Sequence, residues 1–196
     1  MPAADLFDLT GKVALISGGA GFLGSHFARA MAESNASVVA LDIQDPGATG
    51  AAERWGPMLG SRIFFEKCDI TDPASTASVV SRVLAEHRTV DVLINCAAID
   101  PKFEQDDKAS LAAQHFTSFS LSDWQKSLDV NMTGAFLLCQ AVCRVFERQQ
   151  SGNIINICST YGLVGPDQRI YNDGEELTFV KPVTYSVTKS AVLGLT

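Results

Sequence analysis

A chain of 196 residues, of which 46% are hydrophobic and 19% charged, holds enough apolar material for one large buried core. The formal net charge is −7 and the Lys and Arg residues form no cluster, which argues against a nucleic-acid or anionic-membrane partner. No apolar run approaches the ~20 residues of a membrane span, and Asp5 and Asp8 give the N-terminus the opposite charge to a signal peptide, so we expect a soluble cytoplasmic protein.

Segments with strand and helix patterns alternate from one end of the chain to the other. Short apolar runs predict strands at 12–17, 37–42, 62–69, 90–95 and 153–158. Helices are predicted between and after them, at about 22–33, 73–87, 122–148 and from 184 onward. Repeated β-α units of this kind imply an α/β fold with a parallel, doubly wound sheet, formed by a single domain over residues 1–196.

Two of the predicted helices begin with recognisable capping residues. Asp72 stands before Pro73, which predicts an N-cap with proline in the first helical turn. Ser122 and Gln125 have the spacing of a capping box, which predicts the start of the long helix.

Two long connections, at 99–121 and 160–183, each follow a predicted strand. Ligands of open α/β sheets bind outside the carboxyl ends of the strands, so these connections are candidate substrate walls. Surface insertions without a function are the alternative.

The cysteines and histidines do not predict a metal or redox site. The five cysteines form no Cys-x-x-Cys motif and have no histidine at ligand spacing. Three of them end predicted strands, where small thiols pack well, so we predict buried thiols. The histidines His26, His87 and His115 are scattered along the chain, and we assign none of them a ligand or base role.

A glycine-rich turn, with Gly18, Gly21 and Gly24, follows the first predicted strand. Glycines permit a tight turn and let backbone N–H groups approach a pyrophosphate at a helix N-terminus, although a tight β-α connection without a ligand is the alternative. Asp42 ends the second predicted strand, at about the spacing of an acid that accepts hydrogen bonds from a ribose diol. Its charge would repel a 2′-phosphate and the following Ile43 and Gln44 bring no arginine, so we predict NAD over NADP.

Tyr185 and Lys189 stand four residues apart in the last predicted helix, one turn above each other on the same face. The ammonium group stabilises a phenolate relative to a phenol, which suits an acid–base group for alcohol–carbonyl exchange near neutral pH. Unrelated helices often carry this spacing, so its meaning depends on the motifs upstream.

Together with the glycine turn and Asp42, the Tyr185–Lys189 pair resembles the short-chain dehydrogenase/reductase family, and the resemblance covers nearly the whole chain. Ser159 follows the fifth predicted strand and matches the family's serine that hydrogen-bonds the reacting oxygen. Asn131 lies inside the long predicted helix and matches the family's proton-relay asparagine. For Asn131 a helix kink bonded to neighbouring backbone is the alternative.

The resemblance implies a Rossmann-type fold and a role for each matched residue. Tyr185 exchanges a proton with the substrate oxygen, Lys189 assists it and holds the nicotinamide ribose, and Ser159 orients the substrate. Asp69 matches an adenine-contacting acid, and Asn95 with Ala97 matches the motif after strand four. The implied NAD-binding residues are Ser17, Gly18, Gly21, Phe22, Leu23, Gly24, Asp42, Ile43, Asp69, Ile70, Asn95, Ala97, Tyr185 and Lys189.

The sequence departs from the family pattern in several places. The glycine turn has the spacing of the family's longer, nucleotide-sugar-handling branch, and Cys96 and Ala98 replace an asparagine and a glycine of the strand-four motif. A polar insertion at 165–174 lengthens the gap before Tyr185, and its Arg169 could read a carboxylate or phosphate or could be a solvated loop charge. Family members continue past the position of Thr196 with two further strands, so we expect the C-terminal strands to be absent from this sequence.

These patterns imply an NAD-dependent oxidoreductase that interconverts a secondary alcohol and a ketone, on a polar or sugar-like substrate. A nucleotide-sugar epimerase or dehydratase with retained NAD is one alternative, and a non-catalytic dinucleotide sensor is another. The long helix and the last helix are apolar over most of their circumference, which predicts a homodimer or homotetramer. The apolar residues behind this prediction are Trp124, Leu128, Phe136, Leu137, Val142, Phe146, Val187, Val192 and Leu193.

Overall fold

Five short apolar segments pair in parallel, in the order β3-β2-β1-β4-β5. Their bounds are Val13–Ser17 for β1, Ser37–Asp42 for β2, Ile63–Lys67 for β3, Val92–Asn95 for β4 and Asn153–Asn156 for β5. All five residues of the central strand β1 are buried, as its continuous apolar sequence predicts. The register aligns Ser17 with Asn95 and Asn95 with Asn156, so the carboxyl ends of the central strands lie at one level.

Six helices follow in the described part of the chain. They are α1 Phe22–Glu33, α2 Ala51–Trp55, α3 Pro73–His87, α4 Leu121–Leu128, α5 Ala135–Gln149 and α6 Val183–Leu195. A π-helical segment, Asp129–Gly134, follows α4, and short 3₁₀ turns span Gly56–Met58, Thr160–Gly162 and Gln168–Tyr171. Two-residue strands β6 (Asn172–Asp173) and β7 (Glu176–Leu177) pair antiparallel.

The computed structural model describes residues 6–100, 112–173, 176–177 and 179–196. These residues belong to two units, each discontinuous in sequence. The sheet unit comprises Met1–Ala97 and Gly134–Ile157, and the loop unit comprises Ala98–Thr133 and Cys158–Thr196. The single domain over residues 1–196 stays a prediction.

The predicted α/β architecture with a parallel, doubly wound sheet is confirmed, and the main boundaries agree within a few residues. Asp72 caps α3 as predicted, because its carboxylate accepts a hydrogen bond from the Ala74 N–H at 2.9 Å. The cap predicted at Ser122 was wrong by one half-turn: the N-cap of α4 is Ser120, whose hydroxyl accepts from the Asp123 N–H at 3.0 Å. Both serines carry the same hydroxyl, so local chemistry alone did not separate them.

No sequence pattern predicted the short helix α2, which completes the core of the sheet unit. Its last residue, Trp55, is fully buried, and the indole N–H donates to the carbonyl of Ser25 at 3.1 Å. The Arg54 guanidinium donates to the hydroxyl of the same serine at 2.7 Å. A five-residue helix shows too little periodicity to be recognised, and packing of its tryptophan stabilises it.

In the loop unit, the 3₁₀ turn after Ser159 packs directly on the backbone of α6. The Cys158 thiol lies 3.2 Å from the carbonyl oxygen of Lys189, and the Ser190 hydroxyl donates to the carbonyl of Gly162 at 2.8 Å. A Cβ on Gly162 would lie only 2.6 Å from the carbonyl oxygen of Lys189. The approach of turn and helix therefore depends on the absence of a side chain at Gly162.

Across the ranges given above, none of the helices is both long enough and apolar enough to cross a membrane.

We expect Gly162→Ala to lower the free energy of unfolding by about 1–3 kcal/mol, since backbone atoms must move to admit the methyl group. Gly194→Ala in α6 is the matched control, because nothing lies within 4 Å of the added Cβ. That change should be neutral or stabilise by up to roughly 1 kcal/mol. Urea unfolding of both variants measures the difference, and equal stabilities would contradict the packing described.

Candidate active site

The glycine turn between β1 and α1 has a geometry that only glycines permit. Gly18 has a φ of +65°, and a Cβ on it would lie 2.7 Å from the Cα of Ala97. A Cβ on Gly24 would collide with the carbonyl oxygen of Gly18. The missing side chains let the turn pack directly against the backbone of Ala97 and against itself at the carboxyl end of β1.

The glycine turn leads into the N-terminus of α1, where backbone N–H groups are uncapped by side chains. Gly21 is the N-cap, no side chain caps this helix end, and no acidic residue lies in its first turn. Phe22 and Leu23, the first two residues of α1, are exposed. Uncapped N–H groups and the helix dipole together favour a phosphate at this position.

Asp42 lies at the end of β2, where its carboxylate is anchored to backbone. One oxygen accepts from the Ala20 N–H at 3.1 Å, and the other accepts from the Gln44 N–H at 3.0 Å. An ionised carboxylate has about four acceptor sites, so each oxygen keeps capacity for a further donor such as a ribose hydroxyl. The neighbouring Ile43 is exposed and apolar.

Ser17 and Asn95 organise the ends of the central strands. The buried Ser17 hydroxyl accepts hydrogen bonds from the N–H groups of Cys96 at 3.2 Å and Ala97 at 3.3 Å. The Asn95 amide donates to Asn156 at 2.8 Å, while its own buried carbonyl oxygen has no hydrogen-bond partner in the described structure. Cys96, one of the two departures from the family motif, is thus held through its backbone.

Asp69 and Ile70 follow β3 and complete the predicted set in the sheet unit. The exposed Asp69 carboxylate accepts from the N–H and the hydroxyl of Thr71, at 2.9 and 2.7 Å. Ile70 is buried and packs so closely on Gly134 that a Cβ there would lie 2.6 Å from its side chain. The predicted dinucleotide residues of this unit therefore lie at, or shortly after, the carboxyl ends of β1 to β4.

The four predicted catalytic residues, Ser159, Tyr185, Lys189 and Asn131, belong to the loop unit, where α6 carries two of them. Tyr185 and Lys189 lie one helical turn apart in α6, and Lys189 is only 7% exposed. Ser159 is the N-cap of the 3₁₀ turn that packs on this helix, and its hydroxyl accepts from the Tyr161 N–H at 3.2 Å. The contact between turn and helix is what brings Ser159 to the helix of Tyr185 and Lys189.

Asn131 lies in the π-helical segment and is 5% exposed. Its amide oxygen accepts from the Ile99 N–H at 2.7 Å, and its amide nitrogen donates to the Ile99 carbonyl at 3.0 Å. The same nitrogen donates to the Thr188 hydroxyl of α6 at 3.1 Å. These contacts fit the alternative of a residue bonded to nearby backbone, and the proton-relay role stays a prediction.

Lys181, which the sequence did not single out, contacts the ring of Tyr185. Its Nζ lies 3.9 Å from the ring centroid and 2.7 Å from both carboxylate oxygens of Asp100. The backbone N–H and carbonyl of Lys181 bond the side-chain amide of Gln168 at 3.0 and 2.9 Å, and the Lys181 side chain is 11% exposed. Its partner Asp100 lies 81 residues earlier, so no local pattern could have revealed the pair.

Two further tyrosines border Tyr185. Tyr161 meets its ring edge-to-face, with 6.4 Å between centroids, and the Tyr161 and Tyr171 hydroxyls are hydrogen-bonded. Burial, followed by the bond to Tyr161, raises the pKa of Tyr171 to about 12. Tyr171 therefore stays protonated at neutral pH and is no rival as the acid–base residue.

Arg169, a candidate residue for binding a carboxylate or phosphate, forms an ion pair with Asp167 in its own loop. Its guanidinium bonds the Asp167 carboxylate at 2.6 Å, and 89% of its side chain is exposed. The bond from Arg169 lowers the pKa of Asp167 to about 2. These contacts favour the alternative, a solvated loop charge.

The cysteines for which the structure gives a pKa shift behave as packed thiols. Burial raises the pKa of both Cys68 and Cys139, so both stay protonated at neutral pH. Of the five cysteines predicted to be buried, Cys68 is buried and the other four are partly buried.

Comparison with known proteins identifies relatives along almost the whole chain. A family model described as short chain dehydrogenase matches residues 12–196. The D-threitol dehydrogenase of Mycolicibacterium smegmatis is 35% identical over 164 residues, which are 84% of this chain and 58% of that protein. The 3-alpha-(or 20-beta)-hydroxysteroid dehydrogenase of Mycobacterium bovis is 35% identical over 189 residues, which are 96% of this chain and 62% of that protein.

A solved structure gives the same result for the fold. The short chain dehydrogenase of Leptospira borgpetersenii with bound NAD+ has a TM-score of 0.79 and 25% sequence identity, covering 100% of this chain and 66% of that one. The chain spans between 58% and 62% of the length of the two curated relatives. The family model, the shared sequence and the shared fold agree, and the chain belongs to the short-chain dehydrogenase family.

Proposed function

We propose that the protein is an NAD-dependent oxidoreductase that interconverts a secondary alcohol and a ketone. The observation that carries this proposal is the pair of Tyr185 and buried Lys189 on α6, with the turn of Ser159 packed on the same helix. A phenol beside an ammonium group and a hydroxyl is the set that alcohol–carbonyl proton exchange needs.

Each of these residues has a defined task in the proposed reaction. In the oxidation direction, Tyr185 accepts the proton from the substrate hydroxyl while the carbon gives up a hydride. Lys189 stabilises the negative charge on the phenolate, and Ser159 holds the substrate oxygen by a hydrogen bond. NAD, when bound, supplies the hydride acceptor.

The preference for NAD rests on Asp42. Its carboxylate is fixed by the glycine turn and by Gln44, and it keeps acceptor capacity for a ribose diol. A 2′-phosphate at the same place would meet a fixed negative charge without a cation in the following Ile43 or Gln44. The NAD+ bound to the Leptospira relative supports the same choice.

The substrate class is less constrained than the reaction. The names of the relatives include both a small polyol dehydrogenase and a hydroxysteroid dehydrogenase. The polar or sugar-like substrate inferred from the loop sequence therefore stays a prediction. Net accumulation of NADH with added alcohol separates the proposed function from an epimerase or dehydratase with retained NAD, and from a sensor.

We also propose that the protein forms a homodimer or homotetramer. Of the apolar residues that led to this expectation, Val142 and Val192 are buried within the chain and cannot contribute to an interface. Phe136 on α5 and Val187 and Leu193 on α6 remain exposed. Exposed large apolar side chains on helices favour burial against another subunit.

Cofactor preference tests the role of Asp42. NAD should bind more tightly than NADP by about 1–3 kcal/mol, or roughly 5- to 150-fold, because of the charge mismatch at Asp42. Asp42→Ala should narrow this ratio, whereas Asp45→Ala, a loop carboxylate bonded to the Gly47 N–H, should leave it unchanged. Isothermal titration with both cofactors measures the ratio, and equal affinities in the unmodified protein would refute the assignment.

Substitutions on α6 test the reaction roles. Tyr185→Phe should abolish turnover and leave NAD affinity nearly unchanged, because only the proton-transferring hydroxyl is removed. Lys189→Ala should reduce both turnover and NAD affinity, because it assists the phenol and holds the ribose. Steady-state kinetics and cofactor titration measure both quantities; turnover near the wild-type rate in Tyr185→Phe would contradict the proposal.

Lys181 is expected to act as a positioning residue for Tyr185. Lys181→Met keeps the apolar stem of the side chain and removes the cation above the ring. The activation free energy should rise by about 1 kcal/mol, which lowers kcat roughly fivefold. Lys181→Arg retains a cation and should restore most of kcat. Lys126→Met, at an exposed lysine of α4, is the control. If Lys181→Met and Lys126→Met have equal kcat values, the contact between Lys181 and the Tyr185 ring does not affect turnover.

Light scattering at micromolar concentration tests the association. The expected mass is two or four times that of the chain, and Leu193→Glu should shift it downward because a charge is placed on an apolar surface. A monomer in the unmodified protein would overturn the proposed assembly.

A further inference from the structure

The three tyrosines of this chain, Tyr161, Tyr171 and Tyr185, all lie in the loop unit. The rings of Tyr161 and Tyr185 meet edge-to-face, with centroids 6.4 Å apart and an interplanar angle of 82°. The hydroxyls of Tyr161 and Tyr171 are hydrogen-bonded to each other. The three side chains therefore form a line of contacts that ends on the proposed acid–base residue.

Tyr161 contacts both side chains that act on the substrate oxygen in the proposed reaction. Its backbone N–H donates to the Ser159 hydroxyl at 3.2 Å, and its ring packs on the ring of Tyr185. Edge-to-face pairs attract beyond the area that they bury, because the positive edge of one ring meets the negative face of the other. A change in the position of Tyr161 therefore reaches Ser159 and Tyr185 together.

Tyr171 holds the hydroxyl end of the half-buried Tyr161 ring. It is the last residue of the 3₁₀ turn Gln168–Tyr171, within the 165–174 insertion, and its ring packs on Phe179 with 4.8 Å between centroids. Burial, followed by the bond to Tyr161, raises the pKa of Tyr171 to about 12. The Tyr171 hydroxyl stays neutral near pH 7, so the bond between the two hydroxyls persists there.

The same 3₁₀ turn also holds the cation on the Tyr185 ring. Gln168, its first residue, accepts from the Lys181 N–H at 3.0 Å and donates to the Lys181 carbonyl at 2.9 Å. The Lys181 Nζ lies 3.9 Å from the centroid of the Tyr185 ring. The first and last residues of one short turn thus support two groups that contact this ring, Lys181 and Tyr161.

The position of the Tyr185 hydroxyl decides how well it can exchange a proton. An acid–base group must come within about 3.2 Å of the atom that it serves, and a displacement of about 1 Å can lower a rate by about 100-fold. Groups that pack on a catalytic side chain, or bond to it, hold it at the productive geometry. Contacts to the Tyr185 ring therefore bear directly on turnover.

We propose that Tyr161 and Tyr171 are positioning residues for Tyr185, and that the 165–174 insertion supports the acid–base residue through them. The inference rests on the proposed function, because it concerns the residue to which that function assigns the proton transfer. The insertion lengthens the gap before Tyr185 relative to the family pattern. It is then neither a substrate wall nor a surface insertion without a function.

Two conservative variants test the bond between the hydroxyls. Tyr161→Phe and Tyr171→Phe each remove one hydroxyl and keep the ring, and both break the same hydrogen bond. Each should lower kcat by roughly two- to tenfold, the equivalent of one neutral hydrogen bond, and leave KM within about twofold. The double variant should lose no more activity than the single variants, because the bond is already broken in each.

Steady-state kinetics with NAD and whichever of D-threitol and cyclohexanol forms NADH faster measure these values. Ser81→Ala, which removes an exposed hydroxyl bonded to the Ala77 carbonyl in α3, is the control and should leave kcat unchanged. Losses that add in the double variant would contradict the shared bond. A raised KM with an unchanged kcat would overturn the proposal, because the hydroxyls would then contact the substrate instead.

NMR of the tyrosine rings tests the same contact without turnover. Protein labelled with ring-¹³C tyrosine contains three labelled residues, and Tyr185→Phe identifies the signals of Tyr185 by their loss. Tyr171→Phe should shift or broaden the Tyr185 signals, because the Tyr161 ring beside Tyr185 loses its support. Ser81→Ala should leave them in place. Tyr185 signals that do not respond to Tyr171→Phe would refute the proposed support.

The outcomes separate this inference from the proposed function. NADH formation with unchanged kcat and unchanged Tyr185 signals in both single variants would refute the positioning role and leave the oxidoreductase in place. Tyr185 signals that respond to Tyr171→Phe, without NADH formation from a panel of secondary alcohols, would refute the proposed function and support the contact. Responding signals together with a lowered kcat would support both.

Discussion

The contact between the Gly162 turn and the backbone of α6 is the constraint on which the candidate active site depends. Hydrogen bonds link Cys158 to the Lys189 carbonyl and Ser190 to the Gly162 carbonyl. Backbone atoms cannot change rotamer to relieve a clash, so this contact defines the position of the turn more tightly than side-chain packing does. Ser159 caps that turn, and Tyr185 stands one helical turn before Lys189. The placement of Ser159 against α6 therefore depends on the absence of a side chain at Gly162.

Around this contact, the loop unit satisfies its charged and polar groups with partners distant in sequence. Asn131 bonds the backbone of Ile99 and the hydroxyl of Thr188, which ties α6 to the chain after β4. Lys181 bonds Asp100 while covering the ring of Tyr185. A lysine that is 11% exposed is stable there because a carboxylate and an aromatic ring replace its water.

Satisfied and unsatisfied groups distinguish structural residues from candidate binding residues. Arg169 is fully occupied by Asp167 and exposed, so its charge stabilises a loop. In the sheet unit, the turn at Gly18 and Gly24 packs backbone against backbone, and the uncapped N-terminus of α1 leaves N–H groups for an anion. Ligand-binding positions are expected where hydrogen-bonding groups of the described residues have no partner within the protein.

The sequence by itself determined the features that depend on local spacing. Continuous apolar runs predicted the five strands and their parallel arrangement. The glycine turn, Asp42 and the Tyr185–Lys189 pair were recognisable because their residues stand at fixed spacings along the sequence. Tertiary structure decided what depends on residues far apart in the chain. Asp100 and Lys181 are separated by 81 residues. Helix α2 exists because Trp55 is buried, and Asn131 bonds backbone because Ile99 lies beside it. Such contacts arise only when the chain folds, since the free energy of burial and hydrogen bonding depends on neighbours that no local segment contains.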